Sequence, residues 1–513
     1  MAPDARGFLL FGALLLLAIQ LISFASVWDL TIERADYWFL PYQGVRILEQ
    51  GDWFYPHANR QFTFLGLSLA EFLLPHRLQG LHYLHIATLW WAAVGMMMIV
   101  TWLRPAYASW GLVLGIVFLL YFPSNRNFVM MWLYPYAFSL MLIVWGAVLL
   151  LIAARLGAWR AVGVGILAAV LAYLASRSYE GLNPLLYIIP GLLWLAGERG
   201  RKSLGLALGW WGATSIGFAQ FLIPFLSGDD IVEYQTRRRN PEESVSLADV
   251  RLETERFLEK SFPLERIAET PLDARFQTVL LLVVFACGWW LLMRRYRHLI
   301  ALPSLAHLGL MALLGAGIIA LAGAPFIYAN IAELDRAQFF AGPGIGLVWL
   351  ALAGVVVTVL ARSLSIQPAR SLGVLCGLGL LLGGQWHADT NAFWVRWVPS
   401  FDERVQFFRE MTSLAPALEA DTLVLTLACH DTTTPPAYVQ DVDMTFGFGY
   451  VYEQYTGRAV DIGRLNDQPY TEHGVAIHIP YPESRDGMMA RTTTSAGFNY
   501  DQLVVVECAP EGL

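Results

Sequence analysis

The stretch Asp36-Tyr-Trp-Phe-Leu-Pro-Tyr-Gln-Gly-Val-Arg-Ile-Leu-Glu-Gln-Gly-Asp-Trp53 follows the first long apolar run of the chain. It is therefore predicted to lie just outside the first membrane helix. The stretch is amphipathic, and it opens with a carboxylate at the membrane surface. An acid held at this boundary among aromatic side chains is costly to leave without a partner. Asp36 is accordingly the first candidate for a functional residue.

The composition is that of an integral membrane protein. Of the 513 residues, 56% are hydrophobic and only 15% are charged, and the mean hydropathy is +0.49. Soluble domains carry about 25% charged residues. The net charge of −7 is spread without a basic domain, so nucleic acid is not a predicted partner.

Apolar runs long enough to cross a bilayer, which needs about 20 residues per helix, predict a polytopic α-helical protein with about eleven transmembrane helices. The predicted spans are 8–27, 82–103, 109–123, 132–154, 159–176, 183–197, 203–226, 276–293, 299–321, 339–361 and 371–388. The spans 109–123 and 183–197 are short. Residues 1–388 then form the transmembrane domain.

Basic residues fall on alternate turns between these spans, and such turns face the cytoplasm. The turns carry Arg104; Arg155 and Arg160; Arg199, Arg201 and Lys202; Arg294, Arg295 and Arg297; and Arg362 and Arg370. This pattern predicts a cytoplasmic N-terminus, with the first helix retained, and a C-terminus on the other side of the membrane.

The largest predicted external segments are 28–81, 227–275 and 389–513. In 28–81, the short apolar run Phe62–Leu74 is predicted to be a surface helix, because counting it as a span would invert every later loop. In 227–275, a charged helix is predicted around 247–260. The tail 389–513 is predicted to be a small external α/β domain, with a helix at 403–418 and strands at 422–428, 475–479 and 503–507.

The cysteines divide by location. Cys287 and Cys376 lie within apolar runs and are predicted to be core or lipid-facing thiols. Cys429 and Cys508 each follow a strand-like segment of the tail. A disulfide between them suits an external domain, and two separate buried thiols are the alternative, because spacing alone does not decide pairing.

The chain resembles the GT-C superfamily of integral membrane glycosyltransferases, which use polyprenyl-phosphate sugars and include protein O-mannosyltransferases and lipid A aminoarabinose transferases. In bacterial members the first external loop opens with an acidic pair and continues, about fifteen residues later, to Gly-Asp-Trp and a proline. Asp36, Gly51-Asp52-Trp53 and Pro56 match this pattern without a gap. Tyr37 replaces the second acid, and Phe62-Thr-Phe-Leu-Gly66 stands where Lys-Pro-Pro-Leu usually follows, so the resemblance is to the superfamily rather than to either subfamily.

This resemblance implies a multi-pass enzyme of the bacterial inner membrane. It would transfer a sugar from a polyprenyl-phosphate donor to a periplasmic glycan, lipid or protein acceptor. An inverting transfer needs a base for the acceptor proton and a cation for the departing lipid phosphate. Asp36 is the candidate base, and the alternative for this residue is a helix N-cap.

Arginines on the predicted external side depart from the positive-inside tendency and so need a reason. Arg126, Arg177 and Arg336 lie at outer ends of spans, where a lipid phosphate would lie, and Arg60 is a fourth candidate from the first loop. The planar guanidinium donates two hydrogen bonds at once to phosphate. The alternatives are contact with lipid headgroups or pairing with nearby acids, as Arg336 could pair with Asp335.

The turn after residue 176 holds two more candidates. Glu180 is either a second acid of the site or the ion-pair partner of Arg177, and Tyr179 is a candidate substrate contact. His57 could contact a sugar or a metal, although one histidine without a second ligand at metal-binding spacing is a weak metal signal. The sequence contains no clear ligand motif, so whether a divalent cofactor is used stays open.

Two other classes of protein compete with this interpretation. An O-antigen ligase or polymerase carries its main external loop late in the chain, whereas here the early loop and the tail are both large. A transporter or flippase should place ionisable residues inside several spans near the bilayer midplane. Here the charges concentrate at the outer ends of spans, which favours a surface site.

Overall fold

The computed structural model describes residues 3–25, 78–120, 134–227, 246–262, 276–299, 301–328, 335–363, 367–397, 413, 423–427, 464–468 and 503–507. The chain divides into two compact units, one reaching to Ala392 and the other containing the chain from Phe393. The first unit is helical, as predicted, and the second contains three short strands.

The helices of the described chain are numbered here in chain order. They are α1 (Pro3–Ser23), α2 (Leu78–Leu103), α3 (Ala108–Leu120), α4 (Tyr134–Arg155), α5 (Ala158–Ser178), α6 (Asn183–Ile188), α7 (Gly191–Leu195), α8 (Arg201–Ser227), α9 (Leu247–Ser261), α10 (Phe276–Tyr296), α11 (Leu305–Tyr328), α12 (Gly342–Ser363) and α13 (Pro368–Trp397). Short 3-10 helices lie at Pro105–Tyr107, Glu180–Leu182, Arg297–Leu299 and Asp335–Gln338.

Seven of the described helices are long and apolar enough to cross a membrane, and they coincide with seven of the predicted spans: α1, α2, α4, α5, α10, α11 and α12. The other four predicted spans fall on helices outside this group. Helix α3 has 13 residues, which extend only about 20 Å. Span 183–197 is two short helices that meet at Pro190, whose ring and missing N–H interrupt a helix. Helices α8 and α13 are long, but their described residues do not meet the length and hydropathy of a membrane span.

Helix α11 begins later than its predicted span, which started at residue 299. Ser304 accepts a hydrogen bond from the His307 amide at 3.3 Å through its side chain. Its carbonyl accepts another from the Leu308 amide at 2.9 Å. The helix therefore starts directly after Pro303-Ser304, and it extends to Tyr328. The helix also runs past the predicted end of the span at residue 321.

One end of the helical unit collects the basic turns. The Arg155 guanidinium lies over the Trp102 ring at 5.1 Å. The Lys202 ammonium donates to the Leu156 carbonyl at 3.1 Å, so the ends of α2 and α4 and the start of α8 meet. This end is called the basic end.

Three further contacts place the other basic turns at this same end. His298 Nε2 lies 3.4 Å from Asp4 Oδ2, the Ala301 amide donates to Ala106 at 3.0 Å, and the Trp289 indole donates to Ala369 at 3.1 Å. The basic turns identified in the sequence are thus on one side of the unit. Which side faces the cytoplasm stays a prediction.

Three parallel strands are described in the second unit: β1 (Leu423–Leu427), β2 (Arg464–Gln468) and β3 (Leu503–Glu507), in the order β2-β1-β3. Strand β1 pairs Leu427 with Gln468 of β2 and with Glu507 of β3. The strands predicted at 422–428 and 503–507 are present. Strand β2 was not predicted, because Arg-Leu-Asn-Asp-Gln lacks apolar alternation.

Several predictions for the tail fall outside the described residues, namely the strand at 475–479, the helix at 403–418, and Cys429 with Cys508. Helix α13 runs to Trp397, beyond the boundary predicted at 388. The α/β domain therefore stays a prediction. In the helical unit, Cys376 is buried and Cys287 is exposed, as expected for a core thiol and a lipid-facing one.

Glycines allow α11 and α12 to pack closely. A Cβ added to Gly315 would lie 2.7 Å from the Gly344 carbonyl oxygen, and one added to Gly344 would lie 2.6 Å from the Gly315 carbonyl oxygen. Small residues at such crossings let two backbones touch within a membrane. The obstacle is backbone, which cannot rotate away as a side chain would.

We expect Gly315→Ala to lower the thermal stability of the detergent-solubilised protein, because the new methyl group would push α12 away from α11. Gly317→Ala on the same helix is the matched control, since a Cβ there meets no atom within 4 Å. Alanine also favours a helix by up to about 1 kcal/mol over glycine. Equal melting temperatures for the two variants would contradict the close crossing.

Candidate functional site

Helix α5 ends in a group of buried residues at the end of the unit opposite the basic end. Arg177 is only 4% exposed, and Ser178 and Tyr179 beside it are also buried. Tyr179 leaves the helix with an extended backbone, and the 3-10 helix Glu180–Leu182 follows. A Cβ at Gly181 would lie 2.8 Å from the Tyr179 ring, so glycine lets that ring fold against the turn.

Hydrogen bonds connect this turn to the neighbouring helices. The Ser176 hydroxyl donates to the Asn183 side-chain oxygen at 2.6 Å and lies 3.2 Å from the Thr214 carbonyl of α8. The Trp210 indole donates to the Leu186 carbonyl at 2.8 Å. The turn that carries Arg177 and Tyr179 is thereby fixed to both α6 and α8.

Four rings form an aromatic cluster beside Arg177: Tyr136, Tyr179, Phe339 and Phe340. The Tyr136 and Tyr179 ring centroids are 4.6 Å apart, and Phe340 lies 5.2 Å from Tyr136 and 5.1 Å from Tyr179. Phe339 contacts Tyr136 edge-on at 6.1 Å. Such pairs contribute about 0.5–1.5 kcal/mol each beyond the area they bury. The cluster joins the start of α4, the end of α5 and the residues before α12.

The cluster also fixes the chain that carries Arg336. The 3-10 helix Asp335–Gln338 directly precedes Phe339 and Phe340, and Ala337 and Gln338 are fully buried. The backbone of Arg336 is therefore at the same end of the unit as Arg177. The side chains of Arg336 and Glu180 lie outside the described part of the chain.

Helix α9 packs on this end and confirms the helix predicted around 247–260. Ser246 and Asp249 form a reciprocal capping box at its start. Its Phe257 ring fills the space beside Gly323 of α11, where a Cβ would lie 2.8 Å from the ring. On its exposed face, the hydrogen bond from Arg251 to the Glu255 carboxylate at 2.8 Å raises the pKa of Arg251.

Six polar side chains lie at the same end, either on the last turns of α1 or on the helix turns near them. We call this group the polar ring, and its members are Gln20, His82, His85, Gln277, Gln385 and His387. All but Gln277 are buried. Gln20 donates to the Ile86 carbonyl at 2.7 Å, and Gln277 donates to the carbonyls of Ile22 at 2.7 Å and Ser23 at 2.8 Å. The His387 ring lies 5.2 Å from Phe24.

The polar ring lies near the described ends of the two helices that flank the first external segment. Helix α1 ends at Ser23 and α2 begins at Leu78. Within the described residues, neither Nε2 nor Oε1 of Gln385 has a hydrogen-bond partner. Buried amides without partners are uncommon.

The structure brings together only part of the predicted site. Arg177 and Tyr179 lie side by side as buried residues, and the backbones of Glu180 and Arg336 are at the same end. Four predicted site residues lie outside the described residues: Asp36, His57, Arg60 and Arg126.

The sequence analysis did not identify the aromatic residues that pack around Tyr179, nor the polar ring. Tyr136 and the pair Phe339-Phe340 begin apolar spans, where aromatics most often mark the membrane interface. The polar ring gave a weak signal, because single His and Gln residues near span ends carry no motif. Within the described part of the chain, no group of three or more His, Cys, Asp or Glu side chains could hold a metal ion.

Replacing the Tyr179 ring should weaken this end of the unit. We expect Tyr179→Ala to lower the free energy of unfolding by about 3 kcal/mol, as removal of a large core side chain does. Tyr179→Phe retains the ring contacts and is the control. Denaturation of both variants in detergent micelles checks this, and equal losses would show that the hydroxyl, rather than the ring, supports the fold.

No protein-family model and no curated protein matches this chain. Two solved structures of ArnT from Cupriavidus metallidurans are similar to it. ArnT bound to undecaprenyl phosphate has a TM-score of 0.39 and 13% sequence identity, covering 88% of this chain and 89% of the ArnT chain. Apo ArnT has a TM-score of 0.37 and 14% identity, with the same coverage. Scores and identities this low assign neither an activity nor a ligand to this chain.

Proposed function

We propose that this protein is a GT-C-like glycosyltransferase that moves a sugar from a polyprenyl phosphate to an acceptor. The reaction would occur at the end of the helical unit that holds Arg177 and the polar ring. In this proposal the chain crosses the bacterial inner membrane eleven times, with its N-terminus in the cytoplasm. Its C-terminal α/β domain and this end of the unit face the periplasm.

The observation that carries the proposal is the buried guanidinium of Arg177 at the outer end of α5. A cation withdrawn from water at the end of a membrane helix is costly, and such residues commonly serve a substrate path. Arg177 is 4% exposed and is flanked by Tyr179 of the aromatic cluster. Arginine keeps its charge when buried and matches phosphate geometry with two parallel bonds.

The attachment of the first external segment supports a role for Asp36 at this end. The described ends of both helices that flank the segment lie near the polar ring, where Gln20 and Gln277 bond the last turn of α1 to its neighbours. Asp36 is proposed to act in the same reaction as Arg177. Arg60 and His57 belong to the same segment and are proposed as further substrate contacts.

The proposed chemistry is an inverting displacement. The Asp36 carboxylate takes the proton of the acceptor hydroxyl while the hydroxyl oxygen attacks the anomeric carbon of the sugar. The bond between that carbon and the phosphate oxygen breaks, and the electron pair leaves with the polyprenyl phosphate. Arg177, with Arg126 and Arg336, would stabilise the added charge on the phosphate. Glu180 would be either a second acid or the ion-pair partner of Arg177.

The proposal is tested by a transfer assay in membranes that measures release of polyprenyl phosphate from lipid-linked sugar donors. Asp36→Asn should lower the rate by about 10²–10⁴-fold, the usual contribution of a general base. Asp29→Asn, an acid of the same external segment, is the matched control and should retain activity. Insertion and expression of both variants are monitored in the same membranes.

Near-normal transfer by Asp36→Asn would make Asp36 a helix cap and contradict its role as the base. The competing classes give other outcomes. A flippase would move labelled lipid-linked sugar across vesicle membranes without releasing polyprenyl phosphate. An O-antigen ligase or polymerase would accept only a preassembled lipid-linked glycan.

A further inference from the structure

A groove runs along the outer surface of α1, α2 and α4 toward the basic end. Its volume is about 410 Å³, and its lining includes Arg6, Leu10, Trp91, Met98, Trp102 and Trp145. Ligand sites commonly have volumes of about 300–1,000 Å³. Leu10 is 67% exposed and Trp91 is 43% exposed, so the groove opens on the surface that would face lipid.

The apolar wall of the groove is fixed by its own contacts. The Trp145 indole donates to the Trp91 carbonyl at 3.0 Å, and the two rings meet edge-on at 5.1 Å. The Trp90 indole donates to the Ala13 carbonyl at 3.0 Å. The wall therefore exists before anything binds in it, which lowers the entropy cost of binding.

Polar groups collect where the groove reaches the basic end. Trp102 lines this groove and also a second cavity of about 170 Å³, which is bordered by Asp4, Arg155 and His298. The Arg155 guanidinium lies over the Trp102 ring at 5.1 Å, so a second cation lies close to the groove.

The charge at this end favours an anion. Arg6 is exposed, and no residue that the structure describes forms an ion pair with it. The two acids near the cavity already have partners: Glu198 lies 3.6 Å from Arg155, and Asp4 lies 3.4 Å from the His298 ring. The positive charge of Arg6 is therefore available at the mouth of the groove.

We propose that this groove binds an anionic glycerophospholipid from the leaflet at the basic end, which is the cytoplasmic leaflet in the proposed topology. Its phosphate accepts hydrogen bonds from the Arg6 guanidinium. One acyl chain lies along Trp91, Met98 and Trp145. Basic pockets between membrane helices bind anionic headgroups in this way. The site is at the opposite end from the proposed transferase site, and it stands independently of that activity.

Binding is measured by native mass spectrometry of the delipidated full-length protein, with phosphatidylglycerol and phosphatidylcholine of identical acyl chains as probes. Phosphatidylglycerol should be retained preferentially. Arg6→Gln should weaken its binding about fivefold, the effect of one basic residue near an anionic lipid.

The matched control is Arg294→Gln. Arg294 lies over the Trp290 ring at 5.6 Å near the end of α10, so it is a cation at the basic end that lies outside the groove. This variant should bind phosphatidylglycerol as the wild type does. Equal losses for the control and the groove variant, or equal retention of the two lipids, would overturn the proposal. So would a shift to a dimer on delipidation, because a second copy would then occupy the groove.

Discussion

The contact of Tyr136, Tyr179 and Phe340 is the constraint on which the candidate site depends. Three segments far apart in the sequence meet in these rings: the start of α4, the end of α5 and the chain before α12. Because interiors are close-packed, none of the three can shift without loss of contact for the others. Arg177 and the backbone of Arg336 are consequently held at the same end, each within two to four residues of a ring. The shared location of these two residues therefore follows from the packing of the rings.

The two ends of the helical unit face different physical demands. At the basic end, cations outnumber acids, lie mainly on exposed turns and interact with indole rings, as Arg155 does with Trp102 and Arg294 with Trp290. At the opposite end, polar groups are withdrawn from the surface, and the polar ring lies on the last turns of α1 and on the helix turns near them. Burial of amide and imidazole groups is costly unless they bond to something. An end that accepts this cost is suited to binding a polar substrate, whereas the basic end is suited to anionic lipid headgroups.

The sequence predicted what depends on hydropathy and charge. The seven membrane-spanning candidates, the alternation of basic turns and helix α9 follow from apolar run length, the distribution of arginine and the run of acidic and basic residues at 247–260. Features set by one local residue or by a partner strand were not predictable in this way. Pro190 interrupts one predicted span and Ser304 delays the start of α11, whereas strand β2 depends on its pairing with β1. Of the site, Arg177 and Tyr179 were identified because an external arginine is unusual. Tyr136 and Phe340 were missed because an aromatic residue at a span end is ordinary.

Binding of a polyprenyl phosphate to the purified protein tests the central claim, that Arg177 holds a lipid-linked phosphate, most directly. Arg177→Gln should weaken this binding at least about tenfold, since a bond to a charged group contributes about 1.5–3 kcal/mol. Arg160→Gln, on the exposed first turn of the same helix at the basic end, should bind as the wild type does. Both variants must first show wild-type melting temperatures. Unchanged affinity in a well-folded Arg177→Gln protein would contradict the account and leave Arg177 a structural residue of the α5 turn.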